Sequence, residues 1–487
     1  MVAGLLELVP WAAVGSGAVH VAIVGGLALR VISKRRPTGV SLAWLAMLAA
    51  FPFVGAAMYV LVGEEWLSGR RSKRTALVAR LLRDPIRELD QRFGVEPEGR
   101  HHGADSVAKL GRSSGFSPTL GGNRVEILDG AGPTFDRLLA DIDAAERTCD
   151  LLYYIWCPGG RVGAVEEALV RARGRGVECR VMVDAVGGKA LLRGPEGRRL
   201  REAGVEVRAA LPVGLLRGRF SRVDLRNHRK LAAIDDRVAY TGSLNMADPA
   251  VFKVDAGVGA WVDLSARVEG PAAGMLSALF ELDWAMEGHG DPDISGWVPP
   301  ADRVGDVALQ VVPSGPGQRP RTLYRMLSAA VHGAERRLTL TTPYFVPDDA
   351  FVSGLVSAAM RGVETSVVVP AKVDGPLVSL ASRAYYDDLL EAGVKVWEYQ
   401  GGLLHAKTIT VDDAVGVIGT VNLDRRSFWL NYELSLVVQG GPVVGEIRRV
   451  QEGYMGRSRL LSESAWMRRG RVRRLVEDAA QLLSPIL

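Results

Sequence analysis

Two long apolar stretches open the chain. Residues 8–29 and 37–63 contain no Asp, Glu, Lys or Arg and are rich in Ala, Val, Leu and Gly. Each is long enough to cross a bilayer of about 30 Å as a helix of ~20 residues. Gly39, Pro52 and Gly55 in the second stretch are tolerated in a membrane helix and poorly suited to a soluble one. The pattern predicts a two-helix transmembrane hairpin over residues 1–66. A cleaved signal peptide fits less well, because the first stretch lacks a basic start and a second follows closely. Arg30, Lys34, Arg35 and Arg36 lie between the stretches, and Arg70, Arg71, Lys73 and Arg74 follow them. The positive-inside count therefore nearly ties and does not fix the topology; the working expectation is a multi-pass cell-membrane protein with its remaining chain on the cytoplasmic face.

Residues 67–122 read as a juxtamembrane helix, "TALVARLLRDPIRELDQRF", and a Gly/Ser-rich linker, "GRSSGFSPTLGGN". From residue 123 the pattern alternates between strand and helix. Apolar runs such as "CDLLYYIW", "ECRVMVDAV" and "VEVRAAL" are separated by helical stretches such as "AVEEALVRARGRG" and "EGRRLREAG". The same order recurs: "RRLTLTTPYFVPDD" answers the first strand, "LVSAAMRGVETSVVVPA" answers "LVRARGRGVECRVMVDA", and "LLEAGVKVWEY" answers "LREAGVEVRAA". A repeat this long predicts two homologous α/β domains, 123–300 and 301–487, rather than a solenoid array.

Each half ends in the same polar pattern. The first reads "HRKLAAIDDRVAYTGSLN", with His228, Lys230, Asp235, Gly242, Ser243 and Asn245; the second reads "HAKTITVDDAVGVIGTVN", with His405, Lys407, Asp412, Gly419, Thr420 and Asn422. One such run would be ordinary strand alternation. Its recurrence at equivalent places, in a chain with seven histidines, makes a chemical role the better reading. Residues two apart on a strand share a face, so each run presents an imidazole beside an ammonium. Displacing an alcohol from a phosphodiester needs a nucleophile, a proton for the leaving oxygen and donors to the phosphoryl oxygens. Two histidines divide the first two tasks. Lys230 and Lys407 supply charge, and Ser243, Asn245, Thr420 and Asn422 are candidate neutral donors to the phosphate. This set requires no metal and no cofactor. The aspartates, five residues beyond the lysines, fall on the opposite strand face, which suits a buttress better than a substrate contact.

Composition adds limits. A net charge of +5 permits anionic partners without specifying one. Three cysteines, Cys149, Cys157 and Cys179, have neither an even count nor metal-ligand spacing, so reduced thiols are expected.

These motifs resemble those of the phospholipase D superfamily, with both of its HKD motifs intact. The segments "RRPTGVSLAWLAMLAAFPFVGAAMYVLVGE", "TTPYFVPDD", "SRAYYDDLLEAGVKVWEYQGGLLHAKTITVDD" and "GTVNLDRRSFWLNYE" extend the resemblance to the bacterial cardiolipin synthases over nearly the whole chain. The resemblance implies two phospholipase D-like α/β domains, each a mixed sheet flanked by helices, after the membrane hairpin. It also implies transfer of a phosphatidyl group between two phosphatidylglycerols through a phosphohistidine, giving cardiolipin and glycerol. His228, Lys230, Asp235, His405, Lys407 and Asp412 would be the catalytic set, with His228 as nucleophile and His405 as acid by family habit. Glu433, in "LNYE", matches an acid that orients the motif histidine, and Asp263, in "WVDLSARVEG", is its nearest counterpart at a different spacing. The implied partners are phospholipid substrates and the bilayer, with no nucleic acid and with an oligomer compatible but unspecified.

The chain departs from the pattern in places. "YYIWCPGGRVG" lacks acidic residues that many relatives carry there. Twelve more residues separate the "EAG" turn from its histidine in the first half than in the second, including "LPVGLLRGRFSRVDLRN". That segment is either a membrane-touching loop at the mouth of the site or an ordinary basic loop. The final "AWMRRGRVRRLVEDAAQLLSPIL" mixes basic and apolar residues along one helix, which fits an anionic membrane interface or a helix packed on the domain. A phospholipid hydrolase, or a transferase with another acceptor alcohol, is the rival function. A nuclease would gain nothing from the hairpin, and a non-enzymatic scaffold would not need two complete motifs.

Overall fold

Phe51 and Pro52 interrupt the second apolar stretch. In the computed structural model, which describes residues 21–34, 38–63, 69–96, 101–212, 224–288, 302–316 and 321–484, this stretch forms helices Thr38–Ala50 and Pro52–Met58 and a π turn, Tyr59–Gly63. Phe51 leaves the helical region (φ −134°, ψ 70°), and Pro52 has no N–H to continue the ladder. Residues 21–33 are helical, and the earlier part of the first stretch lies outside the described residues. The expected pair of uninterrupted spanning helices is therefore not seen: among the described residues no helix is long and apolar enough to cross a membrane. Val31, Leu48 and Tyr59 form a small cluster, with Trp44 edge-on to Tyr59, while Leu29, Leu42, Phe51 and Val54 face outward. These helices belong to a compact unit of Met1–Arg70 and Val213–Leu225. Most of the long loop before His228 lies at residues 213–223, outside the described set.

The second unit, Arg71–Pro212 and Arg226–Leu487, holds both repeats. Among the described residues fifteen of its strands form one sheet, and Phe345–Val346 with Leu423–Asp424 and Leu403–Leu404 with Trp261–Val262 form two short parallel pairs. From the middle outward, the first repeat runs Leu120–Asp129, Leu264–Glu269, Val238–Gly242, Leu231–Ile234, Thr148–Tyr153, Glu178–Asp184, Glu206–Ala210. The second runs Val307–Ser314, Glu433–Gln439, Val415–Gly419, Thr408–Val411, Arg337–Thr341, Glu364–Pro370, Lys395–Tyr399, with Ser458–Leu460 added at the edge. The order is the same in both. The repeats merge where Leu120–Asp129 pairs antiparallel with Val307–Ser314 through an irregular register.

Helices cover the sheet, so its inner strands are buried on both faces; Leu231–Ile234 and Val415–Gly419 read as continuous apolar runs, and Thr408–Val411 buries two threonines as well. Pro271–Glu287 is buried over most of its length and largely apolar, with Asp283 as a buried charge, and Ala272, Ala273, Gly274 and Ala278 let it approach the strands closely. The equivalent helix, Pro442–Gly456, enters the same core. The segment read as a juxtamembrane helix and linker contains three helices, Gly69–Leu81, Arg83–Phe93 and His102–Ser113, and the first strand begins at Leu120. Val78, Leu82, Ile86, Leu89 and Phe93 enter this core, and Val107 enters the core of the second repeat. Their apolar positions recur at helical spacing within a highly charged sequence, which makes a packed surface look like a spacer.

Candidate active site

Each motif histidine lies just ahead of its strand, alongside a segment of the other repeat. His228 N–H donates to Tyr432 O (2.9 Å), and Asn227 bridges to Tyr432 in parallel. In the mirrored position, His405 and Ala406 N–H both donate to Val262 O (2.8 and 3.0 Å), and Leu403–Leu404 pairs in parallel with Trp261–Val262. The next residue along each partner segment is acidic. His228 Nδ1 meets Glu433 Oε2 at 2.9 Å, and His405 Nδ1 meets Asp263 Oδ1 at 2.6 Å. Each carboxylate therefore holds the histidine of the opposite repeat. With Nδ1 engaged, Nε2 is the ring nitrogen left for chemistry on both sides.

The sheet register makes Asp263 and Glu433 equivalent. Each lies two residues before a serine paired to the motif glycine, Gly242↔Ser265 and Gly419↔Ser435. Asp263 is further from its motif only because an insertion separates them: it follows Ser243 by twenty residues, where Glu433 follows Thr420 by thirteen.

The hydroxyls of Ser243 and Thr420 were expected at the phosphate, but they are used elsewhere. Ser243 Oγ donates to Asp263 Oδ1 (2.7 Å) and accepts from Leu264 N–H (2.9 Å). Thr420 Oγ1 donates to Glu433 Oε2 and accepts from Leu434 N–H (2.9 Å). Both are fully buried, so they brace the carboxylates that brace the histidines. The motif glycines have the same origin. A Cβ on Gly242 or Gly419 would stand 2.3 Å from Leu264 O or Leu434 O, the carbonyls that accept the Ser243 and Thr420 N–H groups. Asn245 Oδ1 accepts from Ile155 N–H (3.2 Å), whereas Asn422 Oδ1 is buried without a partner.

Electrostatics bring the two halves together. Burial pulls the His228 imidazole below its ordinary value more than Glu433 restores it, and Lys230 and Lys407 both add to the fall. Burial, then Lys407, brings His405 down to about 4, with Lys230 contributing. Lys230 is lowered to about 8 by burial, and Lys407 to about 7 by burial and then by Lys230. Burial would raise both acids, yet His405 holds Asp263, and His228 holds Glu433, below the ordinary range. Each lysine Nζ donates to the carbonyl of its own histidine, Lys230 to His228 O (2.9 Å) and Lys407 to His405 O (2.5 Å). Two buried ammonium groups with depressed pKa values form a site that a phosphodiester anion would stabilise. As pH rises through about 7 to 8 the free lysines discharge and lose their hold on an anion. KM for an anionic phospholipid is therefore expected to climb between about pH 7 and pH 9, with kcat changing less, in initial-rate measurements on mixed micelles.

Asp235 and Asp412 are not in this gap, and their place in the expected catalytic set is corrected here. Both lie at the far end of the strand that follows the lysine, in left-handed backbone (φ 53° and 51°). Asp235 accepts from the N–H groups of Glu146, Arg147 and Thr148 (2.7–2.9 Å). Asp412 accepts from those of Glu335, Arg336 and Arg337 (2.8–3.0 Å) and meets His101 Nε2 at 2.7 Å. They fix the start of the strands Thr148–Tyr153 and Arg337–Thr341. Asp412→Ala is expected to cost about 2–4 kcal/mol in stability by orphaning these donors, with kcat near that of the parent chain, as read by thermal unfolding beside an activity assay.

Several site residues escaped the sequence reading. The Tyr154 ring packs 4.9 Å from that of His228, and the Trp261 ring 4.4 Å from that of His405. Trp261 lies two residues before Asp263, so strand alternation was the available signal. Arg229, wholly buried between His228 and Lys230, donates to Asp283 (2.6 Å), Glu433 O (3.1 Å) and Ser314 O (3.2 Å). It ties the first motif to Pro271–Glu287 and to the second repeat, where its counterpart is Ala406. Arg229→Met would leave Asp283 buried with its charge uncompensated. A loss of roughly 3–5 kcal/mol is expected in denaturant unfolding, and Arg229→Met with Asp283→Leu should recover much of it.

Comparisons with known proteins point to one family. A family model described as "Cardiolipin synthase, PLD-like domain" matches residues 138–264 and again 327–453, and a phospholipase D-nuclease N-terminal model matches 23–64. The chain is 39% identical to cardiolipin synthase A of Pectobacterium atrosepticum and 38% identical to that of Erwinia tasmaniensis, in each case over 96% of both chains. In fold it is similar to the crystal structure of phosphatidylserine synthase from Haemophilus influenzae Rd KW20, with a TM-score of 0.59 at 12% identity over 78% of this chain and 100% of the other.

Proposed function

This chain belongs to the phospholipase D-like cardiolipin synthase family, and we propose that it joins two phosphatidylglycerols into cardiolipin and releases glycerol. The observation that carries this reading is the crossed pair of carboxylate-held histidines, His228 on Glu433 and His405 on Asp263, beside two buried lysines.

In the first step a phosphodiester anion bound between the rings offsets the two lysines and favours cationic His405; His228 Nε2 then attacks phosphorus, the bond from phosphorus to the glycerol oxygen breaks, and the Nε2 proton of His405 passes to that oxygen. Glycerol leaves and a phosphatidyl-histidine remains. In the second step His405, now neutral, takes the proton of a hydroxyl on a second phosphatidylglycerol. That oxygen attacks phosphorus, the bond from phosphorus to nitrogen breaks, and His228 is regenerated neutral. Lys230 and Lys407 balance the phosphoryl charge in both steps. Glu433 and Asp263 support whichever imidazole becomes cationic. Tyr154 and Trp261, each packed at a tilt against one of the two histidines, narrow the approach of water and so favour an alcohol acceptor over hydrolysis. The apolar segments 8–29 and 37–63 are read as a membrane hairpin that keeps the enzyme at its lipid substrates, a reading supported by outward-facing Leu29, Leu42, Phe51 and Val54.

The test supplies the detergent-solubilised full chain with phosphatidylglycerol alone in ¹⁸O-labelled water and identifies products by mass spectrometry. Cardiolipin and unlabelled glycerol are expected. Labelled phosphatidic acid as the main product would make the protein a hydrolase.

A further inference from the structure

The helix Arg471–Gln481 carries its apolar side outward. Val472 is 77% exposed, Leu475 69% and Leu482 81%, and Val476 and Leu483 are also exposed. Val472, Leu475 and Val476 follow helical spacing, and Leu482 and Leu483 extend the stripe into the turn that ends the helix. The inward side carries charge: Glu477, wholly buried, accepts from Arg383 Nε (3.0 Å), Arg469 Nε (3.1 Å) and Arg473 Nε (3.2 Å). A surface helix normally has the opposite arrangement, with apolar residues inward. Arg468 and Arg471 at the start of the helix are exposed, and so is Arg473. An exposed apolar stripe beside cationic side chains is complementary to a surface that is apolar in depth and anionic at its rim.

The helix also sits close to the chemistry. It packs on Pro376–Ala384, whose Leu377 is exposed. That helix begins two residues after Asp374, which accepts from Tyr344 Oη (2.7 Å) and Lys253 Nζ (2.9 Å) and lies near enough to His405 to sense its charge.

We propose that the stripe Val472–Leu475–Val476–Leu482–Leu483 inserts into the interface of an anionic bilayer and orients the catalytic unit toward its lipid substrates. The inference rests on the reading that those substrates are bilayer phospholipids. Binding at this surface is nevertheless read separately from turnover.

The experiment uses the full chain with His228→Ala, so that lipid composition stays fixed, and Cys157→Ser, which removes the only partly exposed thiol among the described cysteines. A nitroxide is attached at Leu475→Cys or, as a control, at Asp478→Cys. The protein is reconstituted in phosphatidylcholine vesicles with and without phosphatidylglycerol. The expected result is a label at 475 that collides with oxygen and is shielded from a water-soluble nickel chelate only when phosphatidylglycerol is present, while the label at 478 stays aqueous. Equal nickel access at both positions overturns the proposal. So does shielding in phosphatidylcholine alone, or spin–spin broadening at 475 that tracks protein density and so assigns the stripe to a second copy of this chain.

In the active chain, Val472→Ser, Leu475→Ser and Leu482→Ser together should raise KM for vesicle phosphatidylglycerol roughly ten-fold. They should leave kcat, and KM for a short-chain monomeric phosphatidylglycerol, unchanged. Equal losses on both substrates overturn the proposal. If no cardiolipin forms in any sample while the label at 475 still enters lipid, the proposed function falls and this inference stands.

Discussion

His228→Ala and His405→Ala are each expected to remove cardiolipin formation, with kcat falling about 10⁴-fold or more, because nucleophile and proton donor act as one unit. The two losses should differ in kind. A phosphatidyl ester of p-nitrophenol needs no proton on its leaving oxygen, so it bypasses the task given to His405. Offered this donor, His405→Ala should release one equivalent of p-nitrophenol and keep the phosphatidyl group on His228, since the base that activates the acceptor is missing. His228→Ala should release almost none. Peptide mass spectrometry locates the adduct. His228 is the more accessible ring, 9% exposed against 3% for His405, which agrees with its being the one that meets incoming phosphorus. An adduct on His405 would exchange the two roles. Variants that both kept transfer within ten-fold of the parent would dissolve the pair.

Glu433→Gln should be the next most damaging change, lowering kcat by about 10²–10⁴-fold with little effect on KM. The substitution keeps volume and removes charge. Glu433 is wholly buried, and its Oε2 accepts from both His228 and Thr420. An amide in that place can donate to Nδ1, which would turn the proton-bearing nitrogen of His228 toward the substrate and its lone pair away from it. It also withdraws the support for the positive charge that the His228 ring carries while phosphorus is bound to its Nε2. Asp263→Asn does the same to His405. The readout that separates this role from packing is the pH profile: the limb assigned to the affected histidine should move to lower pH in Glu433→Gln, since the carboxylate is what raises that pKa. A variant with normal kcat and an unshifted profile would make Glu433 merely a structural residue.

The reactive centre was legible because it is written twice. His228 with Lys230 and His405 with Lys407 stood out through recurrence, and the resemblance to the phospholipase D superfamily pointed to Glu433. Its partner Asp263 was obscured by a seven-residue insertion, and only the strand register restores the equivalence. Ser243 and Thr420 were misplaced for a different reason. A hydroxyl beside a phosphate and a hydroxyl beside a carboxylate are the same residue type at the same spacing, and only three-dimensional packing tells them apart. Arg229 was invisible because a charged residue between His and Lys reads as solvent-facing, whereas here the face behind the strand is filled by Asp283 from Pro271–Glu287. The fold class followed from alternation. The merging of both repeats into one sheet depends on an edge pairing, Leu120–Asp129 with Val307–Ser314, that no local pattern announces.

The exchange of carboxylates has an architectural consequence. Neither repeat owns a working histidine: the first supplies His228 and lacks the acid that holds it, and the second supplies His405 under the same debt. A single repeat expressed alone would carry an imidazole free to spin, and two identical copies would regain function only by pairing about a twofold axis that swaps their acids. Joining both copies in one polypeptide makes that partnership permanent and releases it from symmetry. The residue between histidine and lysine has become Arg229 on one side and Ala406 on the other, and the supporting acid is Glu on one side and Asp on the other. Two halves that differ in this way can serve different lipids, one side the lipid that donates and the other the lipid that accepts.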